Sequence, residues 1–144
     1  MKSGETLFRV RYEETDQMGV VYYAKYFVWF EVGRTELFRS LGMPYSEFEK
    51  NDIYIPVTKA FGQFKSPAHY DDLIRIVTSI TGLQEVRISF KYEVFCERES
   101  EDILLAIGET EHTFVNRSSK LMVLKKNNPF LWRRLLEAAG EYTE

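Results

Sequence analysis

Asp16 stands three residues ahead of Gly19 and seven ahead of Tyr23, just upstream of an aromatic helical run. The stretch Tyr12-Glu-Glu-Thr-Asp-Gln-Met-Gly-Val-Val-Tyr-Tyr-Ala-Lys-Tyr26 reads as a strand end, an acidic loop and the first turn of a helix. A helix N-terminus presents backbone N–H groups that have no partner within the helix, at the positive end of the peptide dipoles. A carboxylate beside such donors supplies two parts of an acyl-transfer site. One attacks or activates water, and the other receives charge on a carbonyl oxygen. On spacing alone, an aspartate before a helix is more often a cap or turn former.

The elements around this stretch follow from hydrophobic period. Leu7 to Tyr12 reads as a half-buried strand with Phe8, Val10 and Tyr12 on one face, and Glu13 to Gly19 as the loop after it. From Val20 to Leu41 the spacing of Tyr23, Phe27, Phe30, Leu37 and Leu41 predicts a long helix, with Tyr26, Trp29 and Gly33 widening its apolar surface. Gly42 and Pro44 stop it, and Ser46 with Glu49 has capping-box spacing for a short helix to Asn51. Ile53 to Phe64 reads as a strand, marked as an edge or bulged one by Pro56. Pro67 to Asp72 is a turn. Leu73 to Thr81, Val86 to Val94 and Ile103 to Val115 read as further strands, joined by turns at Gly82–Glu85 and Glu97–Asp102. Asn116 to Ser119 turns into an extended Leu121 to Leu124. Asn128-Pro129 then opens a last helix with Phe130, Leu131, Leu135 and Ala138 as its apolar side. The class is α+β, an antiparallel sheet wrapped around one central helix in a single domain over residues 1–144.

Composition narrows the function classes. The 144 residues carry a net charge of −3, which gives no electrostatic footprint for nucleic acid. Eleven Phe, nine Tyr and two Trp favour a thick core or a large buried interface. The single cysteine, Cys96, excludes an internal disulfide and fits a reducing compartment. No run approaches the ~20 apolar residues of a membrane span, and the first residues lack a signal core, so a cytoplasmic location is expected.

The motif Tyr12-x-x-x-Asp16-x-x-Gly19-x-Val21-x-Tyr23-x-x-Tyr26, continuing into Phe30-Glu31 and Arg34, resembles the hot-dog fold thioesterases. The branch it is most similar to is the 4-hydroxybenzoyl-CoA thioesterase-like group, which includes the acyl-CoA thioesterases associated with the Tol-Pal system. Tyr70-Asp71-Asp72 before an alternating strand extends the likeness, which covers Thr6 to about Lys125. The resemblance implies an acyl-CoA thioesterase without metal or redox cofactor. Its protomers pair edge to edge, as a homodimer or homotetramer, with active sites at the interface. It gives Asp16 the attack, as nucleophile or as base toward water, and gives the backbone N–H of Tyr23 the thioester oxygen. Gly19, Tyr22 and Tyr26 then fall in the substrate-binding set, and Arg87 is the preferred contact for the phosphates of coenzyme A. In the Tol-Pal branch histidine commonly stands at the position of Tyr23. The backbone role survives that difference and a histidine-assisted mechanism does not.

Beside these sit plainer expectations. Tyr12 is placed to hold Asp16 through its hydroxyl if the loop folds back. Glu13 and Glu14 read as solvated loop charges, and Glu31 with Arg34 as a charge pair on the helix. Cys96 reads as a buried or idle thiol. His69 and His112 lack metal-ligand spacing. Lys91, Lys125 and Lys126, like Arg87, are basic residues of the kind that ordinarily face solvent. Three alternatives stay open: a hot-dog dehydratase, a non-catalytic acyl-CoA or acyl-carrier-protein binding module, and a structural partner protein.

Overall fold

Two hydrophobic periods build the architecture. In the computed structural model, which describes residues 3–140, five antiparallel strands form one sheet in the order β1-β3-β4-β5-β2. They are β1 (Ser3–Arg9), β2 (Val57–Phe64), β3 (Leu73–Gln84), β4 (Arg87–Arg98) and β5 (Glu101–Thr113). Ile74, Ile76, Thr78 and Ile80 of β3 and Ile88, Phe90, Tyr92 and Val94 of β4 are all buried on one face, as alternation requires. Helix α1 (Lys25–Ser40) lies on that face and buries Tyr26, Trp29, Phe30, Gly33, Leu37 and Phe38.

Two glycines set how closely helix and sheet approach. A Cβ at Gly108 of β5 would stand 2.3 Å from the ring of Phe30, which stacks on Tyr92 at 4.5 Å. A Cβ at Gly33 of α1 would stand 2.4 Å from Thr78 Oγ1. Neither neighbour can retreat, because Phe30, Tyr92 and Thr78 are fully buried in a close-packed interior.

Several boundaries differ from the sequence expectation. The first strand runs Ser3–Arg9, and Tyr12–Glu14 forms one 3₁₀ turn, which leaves Tyr12 78% exposed rather than on the buried face. Helix α1 begins at Lys25, not Val20, because Val20 and Val21 are extended and bridge to His69 and Thr15. The second helix, α2 (Tyr45–Lys50), starts directly after Pro44 with no side-chain cap, so the Ser46 capping box does not form. Ile53 to Pro56 is a lead-in to β2, and a bulge follows between Val57 and Lys59. β3 continues through the expected turn at Gly82 by means of a bulge, and reaches Gln84. The charged loop after β4 shrinks to Glu99–Ser100, both at positive φ, as a two-residue hairpin requires. Leu121 makes only an isolated bridge to Val115, and Leu124–Asn127 is a single helical turn, α3.

The last helix, α4 (Pro129–Ala139), forms as its opening residues dictate: proline occupies its first turn and Asn128 Oδ1 accepts the Leu131 N–H at 3.1 Å. It buries Leu131, Trp132, Leu135, Ala138 and Ala139, while Phe130 is 61% exposed, contrary to expectation. Arg134 lies over the Phe130 ring and binds the Leu41 carbonyl, which ties α4 to the end of α1. Strand β2 closes one side of the sheet and has no strand on its outer edge among the described residues, where Val57, Phe61 and Phe64 stand 43–47% exposed.

Candidate active site

The loop carrying Asp16 is a tight hairpin, not a free loop. Thr15 bridges Val21, Asp16 N–H donates to the Val20 carbonyl at 2.8 Å, and Gly19 N–H donates to the Asp16 carbonyl at 3.0 Å. Gly19 sits at φ +81°, a left-handed position that a side chain would strain. This is a three-residue connection closed by a glycine bulge. The Asp16 side chain makes one hydrogen bond among the described residues, accepting the Met18 N–H on Oδ1 at 2.8 Å. Its second oxygen is free and the residue is exposed.

The chain then turns into α1. Tyr22 N–H is taken by the Glu14 carbonyl at 2.9 Å, and Lys25, Tyr26 and Phe27 N–H groups by the carbonyls three residues back. Between them, the N–H groups of Tyr23 and Ala24 meet no acceptor among the described residues. Two consecutive free donors therefore stand at the positive end of a 16-residue helix. A cavity of ≈ 270 Å³ opens beside them, lined by Val21, Tyr23, Tyr26, Phe64, Lys65, Ser66 and Pro67.

Glu14 holds this arrangement to the helix. Its carboxylate accepts the Arg11 N–H at 2.8 Å, the Trp29 Nε1–H at 2.9 Å and the Arg11 guanidinium at 3.3 Å. Burial pushes its pKa up, but these hydrogen bonds and the arginine charge outweigh burial and hold it below the usual carboxylate range. Glu14 is 2% exposed, so the expectation of a solvated loop charge is corrected, and only Glu13 remains exposed. No local spacing links Glu14 to Trp29, fifteen residues on; only the folded helix brings them together.

The remaining expected residues scatter. Tyr26 is buried against Trp29 and Phe64, with ring centroids 4.8 and 5.0 Å away, and burial pushes its phenol pKa up. Tyr22 and Tyr23 are exposed, their rings 4.9 Å apart. The Tyr12 ring meets Tyr70 edge-on at 5.7 Å, and its hydroxyl makes no hydrogen bond to Asp16. Arg87 opens β4, whereas Arg98 at its other end binds the Pro67 carbonyl and Asp72, next to the Asp16 hairpin. Eleven residue steps separate Arg87 from Arg98, roughly 36 Å at the rise of a strand. One chain thus keeps Arg87 far from Asp16. It lines a groove of ≈ 610 Å³ at the Val57 end of β2.

Glu31 and Arg34 make no ion pair among the described residues. Arg34 instead donates to the Tyr92 hydroxyl at 3.4 Å, which corrects the expected charge pair. From Tyr92 a buried chain of contacts runs to Thr110 Oγ1 at 2.7 Å, on to His112 Nε2 at 2.8 Å, and from His112 Nδ1 to the Ile55 carbonyl at 3.1 Å. Sequence reasoning missed this chain, because only the folded sheet brings Tyr92, Thr110 and His112 together beneath Arg34. Burial first, and then the Arg34 charge, lower the His112 pKa from 6.5 to about 4, against the opposing hydrogen bond to Ile55. The folded protein therefore keeps His112 neutral where an unfolded chain takes up a proton. Stability is full above about pH 6.5 and falls as pH drops toward 4. The expected loss is about 3 kcal/mol, at 1.36 kcal/mol per pKa unit. Urea midpoints at pH 7 and 4.5 check this: His112→Gln removes most of that difference.

Comparison with known proteins places the chain. Residues 10–137 match the model of the Thioesterase-like superfamily. The YneP protein of Bacillus subtilis is 42% identical over 86 residues, which span 60% of this chain and 62% of that protein. The acyl-CoA thioester hydrolase YbgC of Escherichia coli O6:H1 is 32% identical over 122 residues, 82% of this chain and 81% of that protein. The crystal structure of the DHNA-CoA thioesterase from Staphylococcus aureus superposes with a TM-score of 0.89 at 30% identity, covering 95% of this chain and 91% of that one. With a five-stranded antiparallel sheet closed on a central helix, the chain belongs to the thioesterase-like superfamily and has its hot-dog fold.

Proposed function

We propose that this protein hydrolyses the thioester of an acyl-coenzyme A to the free acid and CoA, with Asp16 and the Tyr23 N–H as its working groups. The observation that carries the reading is the unpaired Tyr23 donor at a helix start, on the same hairpin-to-helix segment as a carboxylate with one free oxygen. The tetrahedral intermediate places negative charge on the carbonyl oxygen, and a fixed donor at a helix start meets that charge without reorganising. Asp16 either attacks the carbonyl carbon or takes a proton from the attacking water. The names of YbgC as an acyl-CoA thioester hydrolase and of the Staphylococcus aureus protein as a DHNA-CoA thioesterase support a CoA thioester as substrate. Gly19 sets the hairpin and Tyr26 walls the cavity, and Tyr22, exposed with its ring 4.9 Å from that of Tyr23, is assigned to the substrate's side.

The same reading requires a second chain. An exposed Asp16 and Tyr23 form half of a cleft, since catalytic electrostatics gain strength where water is excluded. The bare β2 edge supplies the pairing surface. Antiparallel pairing of β2 with its symmetry copy sets the Val57 end of one strand against the Phe64 end of the other. Arg87 of the partner subunit is thereby carried toward Asp16, where it meets the phosphates of coenzyme A. The assembly is a homodimer, or a homotetramer of two such dimers. No helix among the described residues is long and apolar enough to cross a membrane. The proposed compartment is the cytoplasm, in keeping with the free Cys96.

Thiol release from acyl-CoAs tests the assignment of the donor. Tyr23→Phe retains activity within about threefold, because the backbone N–H is unchanged. Tyr23→Pro removes the N–H together with the ring and loses about 100- to 1,000-fold, the usual cost of one oxyanion donor, whereas Tyr23→Ala, which removes the ring alone, stays within about tenfold of wild type. A large loss in Tyr23→Phe would move the role to the phenol. Full activity in Tyr23→Pro would remove the donor from the mechanism.

A further inference from the structure

His69 stands beside the proposed site in a way that neither its sequence neighbours nor its spacing reveals. Val20 bridges both sides of a small ladder. On one side its carbonyl accepts Asp16 N–H at 2.8 Å; on the other it pairs antiparallel with His69, fixed by Val21 N–H to the Ala68 carbonyl at 2.9 Å. Residues paired across a ladder point to the same face, so Asp16, Val20 and His69 share one face. Two steps across the ladder separate the Asp16 and His69 Cα atoms by about 10 Å. That gap fits a thioester C–S bond with one group on each flank.

The histidine is also held in place. The turn His69–Asp72 is clipped to the end of β1 by Val10 N–H to the Asp72 carbonyl at 3.0 Å and Asp71 N–H to the Val10 carbonyl at 3.0 Å. His69 Nδ1 lies 3.8 Å from Asp72 Oδ2, an electrostatic contact longer than a hydrogen bond. Asp72 itself accepts the His69 backbone N–H at 2.8 Å and the Arg98 guanidinium at 3.0 Å. The charged group beside the imidazole is thus Asp72, with Arg98 behind it; Asp71 lies in the same turn, and Asp16 is two steps across the ladder. The side chain is 52% exposed and makes no hydrogen bond among the described residues, which leaves Nε2 free.

On the hydrolase reading given above, we propose that His69 hands a proton to the departing thiolate, from the flank of the thioester opposite Asp16. In the water-addition route, Asp16 takes a proton from water as the C–O bond forms and the carbonyl electrons move to oxygen at the Tyr23 N–H. The C=O then re-forms, the C–S bond breaks with its electron pair going to sulfur, and the proton on His69 Nε2 passes to that sulfur. Asp16 returns its proton to solvent and His69 regains one, so thioester plus water gives acid plus thiol. The step matters most for an alkyl thiol such as coenzyme A, whose anion is basic, and little for an aryl thiol, whose anion leaves unaided.

The experiment compares two thioesters of one acyl group, the CoA ester and the S-phenyl ester, on wild type and His69→Gln. His69→Gln is expected to slow the CoA ester about 10- to 100-fold, within the range of general acid catalysis, and to leave the S-phenyl ester within about twofold. Equal losses on both esters would show a structural role and overturn the proposal, as would full activity on the CoA ester. A wild type inert toward every acyl-CoA would instead overturn the hydrolase reading itself.

Discussion

Asp16→Asn is expected to lower kcat on acyl-CoA about 100- to 10,000-fold, with thermal stability and ligand affinity close to wild type. At 1.36 kcal/mol per decade this is about 3 to 5 kcal/mol of transition-state stabilisation. The separation of activity from folding has a structural basis. The one hydrogen bond of the Asp16 side chain is accepted from Met18 N–H on Oδ1, and an asparagine oxygen can accept the same bond. The hairpin is further fixed by backbone bonds and by Gly19 at positive φ, none of which the substitution touches. What asparagine lacks is the anion that attacks carbon or accepts a proton. Thiol release and isothermal binding of a non-hydrolysable acyl-CoA thioether measure the two halves separately. A variant that turns over normally would place the attack elsewhere.

Ala60→Asp is expected to make the protein monomeric and to lower thiol release about 100-fold or more, the scale set by losing a positioned catalytic constellation. Ala60 lies in β2 opposite buried Thr110, so its side chain is on the helix face of the sheet, yet it is exposed, since no strand among the described residues covers that edge. In an edge-to-edge dimer the same position lies on the inner face of the joined sheet, at the seam beside the partner's β2. An uncompensated carboxylate there carries a desolvation penalty that the pairing cannot offset. The monomer keeps its fold, since the edge is solvent-exposed in the single chain, and it keeps Asp16 and the Tyr23 donor. It loses the second wall of the cleft and the reach of the distant Arg87. Sedimentation equilibrium and activity on one preparation check this. A fully active monomer would contradict the shared site.

The sheet and the central helix were legible because burial imposes period two on β3 and β4 and a helical period on α1. Asn128-Pro129 marked α4 for an equally local reason, a side-chain cap followed by a residue that needs no N–H partner. The start of α1 was not legible by period. Val20 to Ala24 continues the apolar run, and a short apolar run reads the same as helix or ladder. The β-branched pair Val20-Val21 after a glycine was the available sign of an extended segment. At the site, the motif pointed to Asp16 and Tyr23, and the fold adds that the Tyr23 N–H has no acceptor among the described residues. Contacts between distant residues stayed hidden. Trp29 takes Glu14, Tyr92 takes Arg34, and a turn 53 residues after Asp16 brings His69 to its face, none of which spacing encodes. Arg87 illustrates the reverse case. Its distance from Asp16 becomes visible only with the register of β4, and on the proposed reading it is this distance that calls for a second chain.

The most direct measurement is thiol release by the wild-type protein on a matched panel of short-chain, long-chain and aromatic acyl-CoAs. Catalytic release of CoA with an equal yield of free acid, on at least one of these classes, is the predicted result. Saturable binding with no thiol released from any of them would contradict it, and would make the Asp16–Tyr23 cleft a binding module instead of an active site.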